Sequence, residues 1–201
     1  AQYFASLLSA QPAGYYGPCT IANEARLRGV KVLRPDVNSS GEKFGIEDVK
    51  SKEDPILIIP DGGVRVGLMQ IAGLSAQTVM NIFERRPYST FADFVARAEP
   101  DRRELEILIL CGALDSLCAN RRAMLWAIPA TMNYAAALKP DGKSARLPLD
   151  LPEPILDTTI RDFTNVEKAI YERRILHMDI EHHLMVYERA HVCKRGGITA
   201  G

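Results

Sequence analysis

The hydrophobic pattern is most informative over residues 64–84, which read VRVGLMQIAGLSAQTVMNIFE. One apolar run ends at Ala72, and after Ser75 the apolar positions recur at the spacing of one helical face. These positions are Val79, Ile82 and Phe83. Gly73 can adopt the positive φ of a tight turn, and Ser75 can cap the helix that follows. The pattern therefore predicts two apolar segments joined by a short turn that leads into a helix N-terminus.

A second unit of this kind is centred on Gly112, 39 residues after Gly73. Asp101 and Glu104 have the spacing of a capping box at the start of an apolar helix, and another helix follows the glycine. Thr90 can cap a helix between the two units. Two helix-hairpin-helix units joined by a connecting helix form a tandem domain. We therefore expect a mainly α fold, a tandem helix-hairpin-helix domain with a small α/β part at the N-terminus.

The flanking regions have weaker patterns. Residues 1–60 predict helices over 2–10 and 18–28, strands over 30–33, 44–49 and 56–59, and a hairpin turn at residues 61–63. Residues 139–161 are rich in proline and have no sustained period, which indicates a linker. Residues 162–190 predict a helix with one apolar face, formed by Phe163, Val166 and Ile170. We expect three parts: 1–60 the α/β part, 61–138 the tandem domain, and 139–201 the linker and helix.

Composition narrows the class of protein only slightly. The 201 residues include 25 Lys and Arg against 25 Asp and Glu, so the overall charge does not point to nucleic acid. Residues 64–146 nevertheless carry 11 basic and 8 acidic side chains, a net charge of +3, whereas residues 147–201 carry 7 and 9, a net charge of −2. Four cysteines are scattered along the chain without a CxxC pair, which favours reduced thiols and a cytoplasmic location. The chain begins within a predicted helix and ends near a turn, so we expect a piece of a longer protein.

Two blocks of sequence resemble a known family. The segments QYFASLLSAQPAGYY and ARLRGVKVLRPDVNSS resemble the end of the fingers region of bacterial DNA polymerase III alpha subunits. The segments VRVGLMQIAGLS, DRRELEILILCGALDSL and NRRAMLWAI resemble their tandem helix-hairpin-helix domain, and the likeness is greatest to the error-prone branch. The C-terminal residues 167–192 resemble the stretch that enters an oligonucleotide-binding module. This resemblance implies double-stranded DNA and the remaining polymerase domains as partners.

The resemblance implies a fragment without catalytic residues. Phosphoryl transfer on two metal ions needs acidic side chains held close together, and the chain has no D-x-D or comparable acidic pair on a predicted strand. We expect no cofactor in this chain, with Mg²⁺ held by the palm of the parent polymerase. The four histidines lack the spacing of metal ligands, so we also expect no metal site.

The candidate DNA-binding residues follow from the two turns. Backbone N–H groups at a helix N-terminus bind phosphate, and basic side chains nearby neutralise it without reading bases. A carboxylate at Asp115 makes direct contact less favourable at the second turn, and each arginine pair could instead form ion pairs on the surface. The candidates are Gly73, Leu74, Ser75, Ala76 and Gln77 in the first turn, Gly112 and Ala113 in the second, and Arg85, Arg86, Arg121 and Arg122.

Other interpretations stay open. Leu147, Leu149 and Leu151 resemble a degenerate sliding-clamp peptide, although a proline-rich linker would contain the same leucines. A helix-hairpin-helix repair enzyme, a glycosylase or a ligase, is an alternative class. A glycosylase would need a catalytic carboxylate, for which Asp93 is the candidate, although its position also fits a helix cap. A module whose hairpins bind protein is the other alternative.

Overall fold

The computed structural model describes residues 1–12, 14–48, 62–138 and 152–195. Three short strands and one 3-10 turn accompany the α-helices of this part of the chain. The helices are α1 (Gln2–Ser9), α2 (Pro18–Leu27), α3 (Ala76–Arg85), α4 (Phe91–Ala98), α5 (Arg102–Leu110), α6 (Arg121–Leu138), α7 (Asn165–Leu176) and α8 (Met185–Lys194). The strands are β1 (Lys31–Leu33), β2 (Gly45–Glu47) and β3 (Gly63–Arg65), and the 3-10 turn is Leu68–Gln70. The mainly α fold is confirmed.

The strands form one small sheet in the order β1-β3-β2. β1 runs parallel to β3 with Val32 opposite Val64, and β2 runs antiparallel to β3 with Ile46 opposite Val64. The predicted strands at 30–33 and 44–49 are confirmed, whereas the strand predicted at 56–59 lies outside the described residues. Gly63, which we expected in a turn, is instead the first residue of β3. The sheet therefore joins residues on both sides of the predicted boundary at residue 60.

Local capping explains where the central helices begin. The Ser75 hydroxyl accepts a hydrogen bond from the Thr78 N–H at 3.2 Å, and the Thr90 hydroxyl accepts one from the Asp93 N–H at 3.0 Å. Asp101 and Glu104 form the predicted capping box at the start of α5. The apolar faces of α4, α5 and α6 pack together around Phe94, Leu105, Leu108, Met124 and Ile128. The predicted starts of α3, α4 and α5 therefore each have a side-chain cap.

Two features differ from the predicted pattern. The segment before the first turn is β3 and a 3-10 turn in place of an α-helix. The helix predicted over 162–190 is two helices, α7 and α8, because His177 adopts the left-handed conformation with φ 56° and ends α7. Val166 and Ile170 are exposed, and the buried side of α7 carries Ile175 and Leu176 instead. The residues after His177 leave the helix and bury Met178 and Ile180, which the apolar spacing of Phe163, Val166 and Ile170 did not predict.

None of the helices in the described parts of the chain has the length and hydropathy needed to cross a membrane.

Candidate nucleic-acid interface

The first turn lies on the surface of the molecule. Gly73, Ser75, Ala76 and Gln77 are exposed, and Leu74 is half-buried against the core. Gly73 has φ 95°, as the turn pattern predicted, and Ser75 caps α3. A Cβ added at Gly73 would lie 2.7 Å from Cδ1 of Ile107, the end of a side chain on α5. The turn therefore packs against α5, and four of its five residues are exposed.

Three backbone donors of this turn are already used inside the protein. The N–H of Ala72 donates to the carbonyl oxygen of Ile175 at 3.3 Å, and the N–H of Leu74 donates to that of Ile71 at 3.4 Å. The N–H of Ser75 donates to Oε1 of Glu104 at 2.9 Å. Within the described residues, no acceptor is recorded for the N–H groups of Gly73, Ala76 and Gln77. These three donors lie at exposed positions beside the positive end of the α3 dipole, which is the arrangement that binds an anion.

Glu104 is the acidic side chain beside the first turn, and it is only 6% exposed. Its Oε2 accepts hydrogen bonds from the Thr78 hydroxyl at 2.7 Å and the Asp101 N–H at 3.1 Å. Burial would raise the pKa of this carboxyl group, but the hydrogen bonds from Thr78, Ser75 and Asp101 outweigh burial and lower the pKa. The group is therefore a carboxylate at neutral pH. The sequence predicted the capping box of Glu104 on α5, but it did not predict the hydrogen bond between Glu104 and the turn before α3.

The second turn is buried. Gly112 has φ 84°, so the predicted turn conformation is confirmed. Gly112 and Ala113 are both buried, and their N–H groups donate to the carbonyls of Ile109 and Leu108 at 3.1 and 3.0 Å. The carbonyl of Ala113 accepts the N–H of Val37 at 3.0 Å. Gly112 and Ala113 are buried with their donors in use, so their N–H groups are not available to a DNA phosphate, contrary to our expectation.

The side chain of Arg121, another expected phosphate contact, is only 1% exposed and so cannot reach a DNA phosphate in this conformation. Its guanidinium donates to Asp115 at 2.6 and 2.7 Å, to Glu172 at 2.7 Å and to the carbonyl of Leu110 at 3.0 Å. Burial opposes the charge, but the hydrogen bonds and charges of Asp115 and Glu172 outweigh burial and raise the pKa of Arg121. Asp115, which we expected to repel phosphate, instead holds this arginine in the interior.

The remaining predicted arginines lie at or near the surface with partners of their own. Arg122 stacks on the ring of Phe163 at 4.4 Å and pairs with Glu167 at 3.3 Å. Arg85 pairs with Glu99 at 3.0 Å, and Arg86 donates to the carbonyl of Ser40 at 2.9 Å. Their contact with phosphate stays a prediction, as does that of residues 73–77.

A further pair of arginines lies next to the first turn. Arg102 and Arg103 are exposed in the first turn of α5, directly before Glu104, which bonds to Ser75. Arg102 pairs with Glu106 at 3.0 Å, whereas Arg103 has no ion-pair partner among the described residues. No local pattern of the sequence places this pair near the first turn, because the contacts of Glu104 and Ile107 with the turn join residues about 30 positions apart.

The alternatives find less support. Asp93 accepts the N–H of Ser89 at 3.1 Å and pairs with Arg97 at 3.1 Å, as a capping residue does. No group of three or more potential ligands that could hold a metal ion occurs within the described ranges. Leu147, Leu149 and Leu151 lie outside these ranges, so the clamp peptide stays a prediction.

Comparison with known proteins shows which proteins have a similar sequence. A family model described as a helix-hairpin-helix motif matches residues 29–124, so the chain contains a helix-hairpin-helix region. The chain is 32% identical to an error-prone DNA polymerase of Symbiobacterium thermophilum, over all of this chain and 21% of that protein. It is 31% identical to the error-prone DNA polymerase of Dechloromonas aromatica, over all of this chain and 18% of that protein.

A similar match covers less of the chain. The error-prone DNA polymerase of Corynebacterium efficiens is 35% identical over 63% of this chain and 10% of that protein. The chain thus spans about a fifth of the length of the first two relatives. The resemblance to the error-prone branch of bacterial DNA polymerases is confirmed, and the chain matches one region of each of these longer proteins.

Proposed function

We propose that this chain binds the phosphate backbone of double-stranded DNA without reading its sequence. The observation that carries the proposal is the exposed turn at residues 73–77, where three backbone donors lack a recorded partner at the N-terminus of α3 within the described residues. Arg103 adds a basic side chain on the adjoining end of α5. Contacts from backbone donors and arginines to phosphate oxygens carry no base information.

The proposed role belongs to a larger polymerase. The similarity to error-prone DNA polymerases supports a parent protein that adds nucleotides to a primer in the cytoplasm, with Mg²⁺ held in a palm outside this chain. In that protein this chain would hold duplex DNA beside the remaining domains, and the leucines of 147–151 would contact the sliding clamp. Primer extension by the isolated chain, with Mg²⁺ and nucleotides, should give no product above a blank.

A salt titration of duplex binding tests the proposal. Because Arg121 and the second turn are buried, the exposed groups can neutralise only about two to four phosphates, so the slope of log K against log salt should be roughly −2 to −4. Non-specific affinities of this kind lie around 10⁻⁴–10⁻⁶ M. Two duplexes of unrelated sequence should bind alike.

The measurement is fluorescence anisotropy of labelled duplexes with the whole chain. Affinities that differ more than about tenfold between unrelated duplexes would indicate base readout, since one good bidentate base contact contributes about 1–3 kcal/mol. An absence of binding at low salt would favour the module whose hairpins bind protein.

A further inference from the structure

Glu104 connects the N-termini of two helices. One carboxylate oxygen accepts the N–H of Ser75, the residue that caps α3, at 2.9 Å. The other accepts the Thr78 hydroxyl at 2.7 Å and the N–H of Asp101, the residue that caps α5, at 3.1 Å. Thr78 is itself buried, and its hydroxyl also bonds to that of Ser75 at 3.1 Å. The capping residues of α3 and α5 are thus held together through a single buried side chain.

The same side chain places a negative charge beside the proposed phosphate site. Ser75 directly precedes Ala76 and Gln77, whose N–H groups have no recorded acceptor within the described residues. A carboxylate at this position stabilises the α3 dipole and takes one donor for itself, so it does part of what a phosphate would do. It also repels a phosphate that approaches the neighbouring donors. Its hydrogen bonds order the turn, whereas its charge opposes the ligand.

We propose that Glu104 is a positioning residue with two opposed effects on duplex binding, an inference that rests on the proposed function of the first turn. Its hydrogen bonds hold the donors of residues 73–77 in the geometry that receives a phosphate. Its charge keeps the resulting affinity low. A weak contact suits a protein that must move along the duplex, since non-specific phosphate contacts allow sliding.

Two substitutions separate the two effects. Glu104→Gln removes the charge and keeps one oxygen, which we expect to accept the Ser75 N–H while the amide NH2 takes the place of the other oxygen and donates to the Thr78 hydroxyl. The Asp101 N–H then loses its side-chain acceptor. We expect Glu104→Gln to tighten duplex binding by about threefold to tenfold, because it removes the repulsion between one carboxylate and a phosphate beside it. Glu104→Ala removes both the charge and the acceptors. We expect it to bind more weakly than Glu104→Gln, because the turn is no longer held.

A matched control removes a charge elsewhere on the same helix. Glu106→Gln neutralises a side chain that pairs with Arg102 and makes no recorded contact with residues 73–78. It should change duplex affinity by less than about twofold, because an exposed ion pair such as Glu106–Arg102 contributes little free energy. Amide hydrogen exchange at Ser75 supplies the structural readout. The amide should stay protected in Glu104→Gln and exchange faster in Glu104→Ala.

The outcomes distinguish this inference from the function on which it rests. If the wild-type chain does not bind duplex DNA at low salt, the proposed function is wrong, and the inference about Glu104 is wrong as well. If the wild type binds and Gly73→Val weakens binding, the function stands. The role of Glu104 is then overturned by unchanged or weaker binding of Glu104→Gln, by an equal gain in Glu106→Gln, or by equally fast Ser75 exchange in Glu104→Gln and Glu104→Ala.

Discussion

The two glycine turns share a backbone conformation but have opposite surroundings. Gly73 and Gly112 have φ values of 95° and 84°, and each lies in a turn that leads toward a capped helix. The first turn is exposed and has N–H groups without recorded acceptors within the described residues. The second is buried, and its N–H groups donate to Ile109 and Leu108. A shared local motif therefore does not imply a shared function.

The two turns differ in exposure because different charged side chains contact them. At the second turn, Arg121 lies against Gly112 and is neutralised by Asp115 and Glu172. Glu172 also pairs with Arg34 at 2.6 Å, so this network joins the second turn, α7 and the segment after β1. At the first turn Glu104 is buried and accepts a hydrogen bond from Ser75, whereas Gly73, Ala76 and Gln77 are exposed. One turn therefore stabilises the fold, and the other is free to meet a ligand.

The largest expected effect tests the structural role of the second turn. Arg121→Met would leave Asp115 and Glu172 without their shared cation, and breaking a buried ion pair costs about 3–5 kcal/mol of unfolding free energy. Urea denaturation followed by circular dichroism measures the change. The neighbouring change Arg122→Met, at a partly exposed side chain, should cost less than about 1 kcal/mol. A stable Arg121→Met protein that no longer binds duplex DNA would restore Arg121 as a phosphate contact.

A second prediction exchanges the two glycines for the same residue. Gly112→Val would place a Cβ against the Arg121 guanidinium in addition to the cost of about 1–2 kcal/mol for a left-handed conformation. Gly73→Val carries the same backbone cost, but its Cβ meets only the movable end of Ile107. We expect Gly112→Val to lower the melting temperature more, and Gly73→Val to weaken duplex binding by roughly tenfold through displaced donors.

Thermal denaturation and duplex titration on both glycine variants decide this prediction. The duplex affinity of each variant must be calculated from the concentration of its folded molecules alone. A folded Gly73→Val protein that binds as the wild type does would remove the first turn from the DNA interface and favour the protein-binding module.

The smallest expected effect concerns Arg103. Arg103→Gln should reduce the steepness of the log–log salt dependence by about 1, because each neutralised phosphate contributes roughly 0.9 to the slope. Arg28→Gln, at an exposed arginine of the N-terminal part that pairs with Glu24, is the matched control and should leave the slope unchanged. Equal slopes for wild type and Arg103→Gln, measured from 50 to 200 mM salt, would contradict the assignment of Arg103.

Most of the local structure could be predicted from the sequence, because helix caps and turns depend on neighbours along the chain. Ser75, Thr90 and the Asp101–Glu104 pair cap the helices that their spacing predicted. Gly73 and Gly112 adopt the positive φ that their turns require. The helix over 162–190 could not be predicted correctly in this way. The break at His177 has no glycine or proline to mark it, and it depends on burial of the residues that follow.

The sequence by itself determined two capped glycine turns, a mainly α fold and a resemblance to error-prone DNA polymerases. Only the tertiary structure decided which turn faces solvent. Arg121 and Arg122 are adjacent and chemically alike, yet Arg121 is buried between Asp115 and Glu172 while Arg122 stacks on Phe163 near the surface. The partners that separate them lie up to 51 residues away. Burial and ion pairing are set by such distant contacts, which no local pattern of the chain contains.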